Sequence, residues 1–257
     1  MISDLLASQG YRGTAKWALK IVSKHPILAF QINKPKKQFE QIHSLVDINY
    51  IRRIYPKNRT LSYQDLLRTV RQYKTKCCHH NDYLYAVVRW LRPGIVVETG
   101  IGMGFSARAI LSALEDNQKG ELYSIGLPDV EYFVPEFDRM HSDKQPFPQG
   151  FYVPNSIRRR WHVIAGDARQ ELLLLLKNFD SIDMFHHDSL HLYDHMLFEF
   201  TEAWPYIRAG GLLLSDDVFW GNAFKDFAAS HQIEPQIFFD GRFDERVPAA
   251  SGMILKQ

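Results

Sequence analysis

"IVVETGIGMGFSARAILSALED", residues 95–116, is the stretch whose reading decides the fold. It opens on a short apolar run rich in β-branched residues, Ile95, Val96 and Val97, as a strand covered on both faces requires. Glu98 and Thr99 then lead into a loop holding Gly100, Gly102 and Gly104, and the loop into the helical pattern "SARAILSALED". Glycines two apart between a strand and a helix let backbone approach a ligand closely and turn sharply into the helix. The G-x-G-x-G spacing differs from the G-x-G-x-x-G of a dinucleotide site. A carboxylate at the strand end suits a pyrophosphate poorly, and suits a ligand carrying a positive charge and an ammonium group.

Working outward, the same alternation continues. A helix "DYLYAVVRWL" precedes the first strand and stops at Pro93 and Gly94. Downstream, "ELYSIG", "WHVIAG", "IDMFHH" and "GLLLSDD" read as further strands, with "QELLLLLKNF" and "YDHMLFEFTEAWPYI" as helices between the later ones. Strand and helix in alternation imply a parallel sheet with right-handed crossovers. The tail segments "PQIFFDG" and "SGMILK", joined by "RFDERVPAA", read as two closing strands. The expected fold class is therefore α/β: a Rossmann-like doubly wound sheet of seven strands, mostly parallel with an antiparallel C-terminal hairpin, plus a helical N-terminal cap. The cap is expected over residues 1–80, where "GTAKWALKIVSKH" ends at Pro26 and "SYQDLLRTVRQY" opens on Ser62 as an N-cap. The α/β domain is expected over 81–257. Its one overlong connection, near 127–160, contains Pro128, Pro135, Pro146, Pro148 and Pro154, and its place beside the strand ends reads as a lid-like insert.

Composition limits the function classes. The 257 residues are 46% hydrophobic and 23% charged, ordinary for a globular chain rather than a disordered one. A net charge of +2 gives no general argument for nucleic acid, and the local cluster Lys34, Lys36 and Lys37 reads as a solvated loop. The two cysteines, Cys77 and Cys78, are adjacent and make neither a disulfide framework nor a CxxC site. No stretch reaches the ~18 apolar residues of a membrane span, so no membrane insertion is expected. The expectation is a cytoplasmic protein, with a homo-oligomer left open.

The motifs taken together carry a resemblance. "VVETGIGMGFSA" resembles the first motif of the class I S-adenosylmethionine-dependent methyltransferases, and "WHVIAGDA" their third-strand motif. "DMFHHDSLHLYDH" and "GGLLLSDDV" are similar to the fourth and fifth strand ends of the metal-assisted O-methyltransferases of the catechol type, in a bacterial branch of that class. The resemblance covers about residues 81–257, specific in the order and spacing of its motifs. It implies S-adenosylmethionine as cofactor, held by Glu98, Gly100, Gly102, Gly104 and Ser106, with Asp167 meeting the adenine amino group and Ala168 beside the ring. It further implies a divalent metal, magnesium by the hardness of its ligands, on Asp188, Asp216 and Asp217. Three residues after Asp188, where such enzymes have a lysine base, stands His191, whose unperturbed pKa of about 6.5 allows it to take a proton near neutrality. The implied activity is methyl transfer to a small hydroxylated acceptor, with Asp188 and His191 at the reacting oxygen.

One position departs from the pattern. The second strand of this family ends in an acid that binds the two ribose hydroxyls, and here that position is Gly126, which leaves the ribose to Asp129, three residues on, as a substitute, or to other groups. Losing such a charged hydrogen bond costs roughly 1.5–3 kcal/mol, or 10–100-fold in affinity. An inactive methyltransferase-like binding protein is therefore an alternative. A zinc hydrolase is another, since His191 and His195 stand four apart, although no HExxH is present. His186 and His187 point to opposite faces of a strand, so at most one is expected to face the site. Paired acids after a strand also cap helices, and Asp217 before "VFWGNAF" has that second reading.

Overall fold

A computed structural model describes residues 80–127, 149–150, 152–243 and 248–257. The expected cap, all but its last residue, lies outside these, as do Asp129, Cys77, Cys78 and most of the insert. Seven strands form one sheet: β1 (Ile95–Thr99), β2 (Glu121–Gly126), β3 (Trp161–Ala165), β4 (Ile182–His187), β5 (Ile207–Ser215), β6 (Gln236–Phe243) and β7 (Pro248–Leu255), in the order β3-β2-β1-β4-β5-β7-β6. The first five are mutually parallel, and β7 runs antiparallel to both β5 and β6. This is the fold class the alternation predicts. Among the described residues five α-helices accompany the sheet: α1 (His80–Leu91), α2 (Phe105–Asn117), α3 (Ala168–Leu176), α4 (Tyr193–Ala203) and α5 (Ala223–Ser230).

Period-two alternation explains how both faces are covered. Val96, Leu122, Met184, Leu212 and Met253 point to one side, where they meet Leu84, Val87 and Val88 of α1 and Ile110, Leu111 and Leu114 of α2. Val97, Ile125, Phe185, Leu213 and Ile254 point to the other, against Leu172 of α3, Met196 and Phe200 of α4, and Phe224 and Phe227 of α5. Helix α4 ends four residues earlier than its pattern predicts, because Trp204–Tyr206 tightens into a 3-10 turn around Pro205. Helix α5, between β5 and β6, is an addition to the elements read from sequence.

At the amino-terminal edge of the sheet, Asp183 of β4 ties two strands and a loop together. One carboxylate oxygen accepts from the backbone N–H groups of Gly94 (2.7 Å) and Ile95 (2.9 Å), and the other accepts from Arg208 Nε at 2.6 Å. Burial pushes this carboxyl up, and the donors of Ile95, Arg208 and Gly94 outweigh it, so the net shift is downward. Asp183→Ala strands two backbone donors and is expected to cost about 2 kcal/mol of unfolding free energy, read from urea midpoints. A loss under ~0.5 kcal/mol would show the tie to be incidental.

Candidate functional site

The order places β1 next to β2 on one side and β4 on the other, the switch point at which doubly wound sheets bind ligands beyond their strand ends. Register is carried past the last paired residues. Thr99 pairs with His187, and His187 with Ser215. Beyond them Asp188 N donates to Thr99 O (2.8 Å), Asp216 N to His187 O (2.9 Å) and Gly100 N to Ile125 O (2.8 Å). Gly100, Asp188 and Asp216 thus stand side by side on one edge.

The glycine loop has a physical reason at each of its turns. Gly100, Gly102 and Gly104 have φ of 87°, 51° and 89°, the left-handed region that disfavours side chains, and Gly104 opens α2. Close approach at two of them is to protein. A Cβ on Gly100 would collide with the carbonyl of Asp188, and one on Gly104 would lie 2.9 Å from Gly150 Cα and from Val153. Ser106, in the first turn of α2, is buried.

Beneath the loop lie two buried polar rows, one on each face. On the α1–α2 side Glu98 pairs in register with Ser124 and His186. Its Oε2 accepts from Ser124 Oγ at 2.7 Å, Ser124 Oγ also accepts from Trp161 Nε1 at 2.9 Å, and Oε1 faces His186 Nδ1 at 3.4 Å. Glu98 is fully enclosed by this row. On the other face Glu199 of α4 accepts four donors. Oε2 takes the Thr99 hydroxyl and, at 2.6 Å, His187 Nδ1; Oε1 takes Ser189 Oγ at 2.7 Å and His195 Nε2 at 2.8 Å. Burial pushes Glu199 up, but the charge and hydrogen bond of His187, with the donors of His195 and Thr99, hold it well below the ordinary carboxylate range. Each of the paired histidines is therefore buried against a glutamate on its own face, where the sequence predicted at most one at the site. His195, noted in the sequence for standing four residues from His191, is buried in this cluster.

Three of the expected site residues converge at the rim. His191 Nε2 lies 3.8 Å from Asp188 Oδ1 and 3.8 Å from Asp217 Oδ2, its ring in a T-shaped contact with His187 (centroids 5.2 Å apart) and tilted against Trp220 (6.3 Å). Asp217 adopts a left-handed backbone, φ 47°, and its carbonyl accepts from Trp220 N. It does not cap a helix: α5 begins six residues on, after Asn222. Asp216 is buried, its Oδ1 accepting from Ser251 Oγ of β7 at 3.1 Å. Among the described residues no group of three or more His, Cys, Asp or Glu side chains is arranged to hold a metal ion. Asp167 stands exposed after β3, where its Oδ1 accepts from Arg169 N at 2.7 Å and caps α3, whose first residue is Ala168.

Glu199 is the residue that sequence reasoning missed. Its one local signal is the four-residue step from His195, which puts both side chains on one face of α4. Among the described residues no helix is long and apolar enough to cross a membrane.

Residues 97–218, just under half of the chain, match the family model described as a methyltransferase domain. No curated protein matches the chain. Among solved structures, it is similar to an S-adenosylhomocysteine-bound methyltransferase of Podospora anserina (16% identity, TM-score 0.47, 87% of this chain and 97% of that one). It is also similar to an O-methyltransferase of Bacillus cereus in complex with S-adenosylhomocysteine (13%, TM-score 0.49, 79% and 96%). A third is the O-methyltransferase TomG of Streptomyces achromogenes, involved in tomaymycin synthesis, in complex with S-adenosylmethionine (12%, TM-score 0.47, 81% and 96%).

Proposed function

We propose, on the premise that residues 97–218 form a methyltransferase domain of the class I fold, that the chain transfers the methyl group of S-adenosylmethionine to a hydroxyl of a small molecule. The observation that carries this reading is the meeting of Asp188, His191 and Asp217 beside the glycine loop. The donor set fits the cofactor's chemistry: a left-handed glycine turn gives backbone access at the switch point, and the rim carboxylates suit a sulfonium and an ammonium rather than a phosphate.

His191 would take the acceptor's proton on Nε2, with Asp188 and Asp217 stabilising the imidazolium that forms. S-adenosylmethionine, when bound, would supply a methyl group on a positively charged sulfur that passes to the acceptor oxygen while the pair of the broken carbon–sulfur bond stays on sulfur. Positioning supplies the rest of the rate. Leu190, Leu192 and Tyr193, exposed on either side of His191, suit an acceptor with an apolar body. Metal assistance is the finer part of the proposal. Asp188 and Asp217 would hold a hard divalent cation such as magnesium, joined by Asp216 if it leaves Ser251, and such an ion would acidify the acceptor hydroxyl.

Titration calorimetry with S-adenosylmethionine and S-adenosylhomocysteine tests the cofactor; absence of binding up to millimolar concentration overturns the reading. With a turned-over acceptor in hand, His191→Ala should lower kcat roughly 10²–10³-fold with little change in S-adenosylhomocysteine affinity. Full activity in a chelator would remove the metal while leaving methyl transfer in place.

A further inference from the structure

In doubly wound sheets a nucleotide's ribose is read by a carboxylate from the end of the second strand, beside the glycine turn. Here β2 ends at Gly126, which has the required position: Ile125 O binds Gly100 N, and Gly126 O accepts from Gly166 N at 3.0 Å. It has no side chain to offer. The space beside it is filled from elsewhere in the chain, since a Cβ on Gly126 would run into Gln149 Nε2 and come within 3.1 Å of the Ile101 side chain.

Gln149 is delivered there by an anchored stretch of backbone. Its Nε2 donates to Leu127 O at 3.2 Å. The next residues are bonded to the glycine loop itself, Gly150 N to Gly102 O (3.0 Å) and Tyr152 N to Met103 O (2.9 Å), while the Tyr152 ring stacks on Phe105 at 4.5 Å. Arg158 secures the stretch from behind, donating to Gly150 O at 2.7 Å and to Val153 O at 3.0 Å. Gly150 has φ 70° and lies against the Trp161 ring, so no side chain fits there and the approach of this backbone depends on glycine.

We propose that Gln149 reads the ribose hydroxyls of the cofactor, in place of the acid that β2 lacks. This rests on the reading of the ligand as S-adenosylmethionine. A primary amide has one carbonyl oxygen and two N–H donors. With one N–H given to Leu127, Oε1 accepts from one hydroxyl and the second N–H donates to its neighbour. Neutral hydrogen bonds of this kind are about half as strong as those of a carboxylate, which sets a lower affinity than an acid would give.

The test is calorimetry on the full chain with S-adenosylhomocysteine and its 2′,3′-dideoxy analogue. The unaltered protein should bind the dideoxy analogue roughly 3–10-fold more weakly than the parent. In Gln149→Ala the parent should weaken by the same factor and the analogue should not, so the gap closes. Gln149→Met, close in length but with neither an N–H donor nor a carbonyl acceptor, should close the gap in the same way. A gap that persists in Gln149→Ala overturns the assignment, as does one that persists in Gln149→Met should the alanine variant fail to fold. If the unaltered protein binds neither compound, the cofactor reading itself fails, a result distinct from either of these.

Discussion

Replacing Glu199 by alanine is expected to cost roughly 3–5 kcal/mol of unfolding free energy, a large share of the 5–15 kcal/mol that holds a typical domain together. Four donors lose their acceptor at once: Thr99 at the end of β1, His187 at the end of β4, Ser189 in the loop after it, and His195 one turn back on α4. Low dielectric around a fully buried group makes each stranded partner expensive. Glu199→Gln keeps the volume but turns an N–H₂ toward two of the donors, so most of the loss should remain. Urea midpoints at constant slope measure it. A Glu199→Gln protein within 1 kcal/mol of the original would contradict the account.

The acid side of the stability curve follows from the same group. Its folded pKa is lowered from the ordinary 4.5, so its contribution is complete above about that pH. Between there and the lower folded value the unfolded chain binds the proton first, and stability falls as pH falls. Glu199→Gln should flatten this limb of the profile while leaving the neutral plateau lower overall.

Gly100→Ala should be comparably severe, through backbone. The residue sits at φ 87°, where an L side chain costs roughly 1–2 kcal/mol, and its Cβ would overlap the carbonyl of Asp188 and come within 2.7 Å of Ser189 N. Backbone on both sides cannot step aside without parting the last rung between β1 and β4, where Asp188 N meets Thr99 O. A total of about 4 kcal/mol is expected, together with displacement of Asp188 and His191 from their meeting point. Gly221→Ala is the control, since a Cβ there meets nothing within 4 Å and its backbone is not left-handed. Its effect should stay within ~0.5 kcal/mol. Equal thermal midpoints for the two variants would refute the close-approach argument.

Much of the fold is legible in the sequence. Apolar runs such as "IVVE" and "IDMFHH" announce buried strands, and once β4 and β5 are neighbours, Asp188 and Asp217 must emerge on the same edge. What sequence could not supply is partnership across distance. Glu199 looks like one acid among several on an amphipathic helix, and only packing of α4 on the sheet shows that it faces inward. Gln149 has no local pattern at all; its role follows from the bare Cα of Gly126, a residue 23 positions away. Asp183 did leave a trace, an acid between Ile182 and Met184 of a mostly buried strand, which reads as a half-buried tie once its backbone partners are known. Helix α5 was visible only as the segment that Asp217 was read as able to cap, though Phe224, Phe227 and Ala228 keep helical spacing.

The backbone around Gly126 and Gln149 has a consequence for how such a chain diversifies. Leu127 and Gln149 bracket a long excursion, yet one hydrogen bond joins them, and the returning strand of chain is riveted to the glycine turn. Once the two roots are fixed together, lengthening or exchanging what lies between them costs only a slowly growing closure entropy, about 0.6 kcal/mol for each doubling. The sheet edge thus acts as a socket: the length of chain between the two roots can change while β2 and the glycine turn keep their geometry.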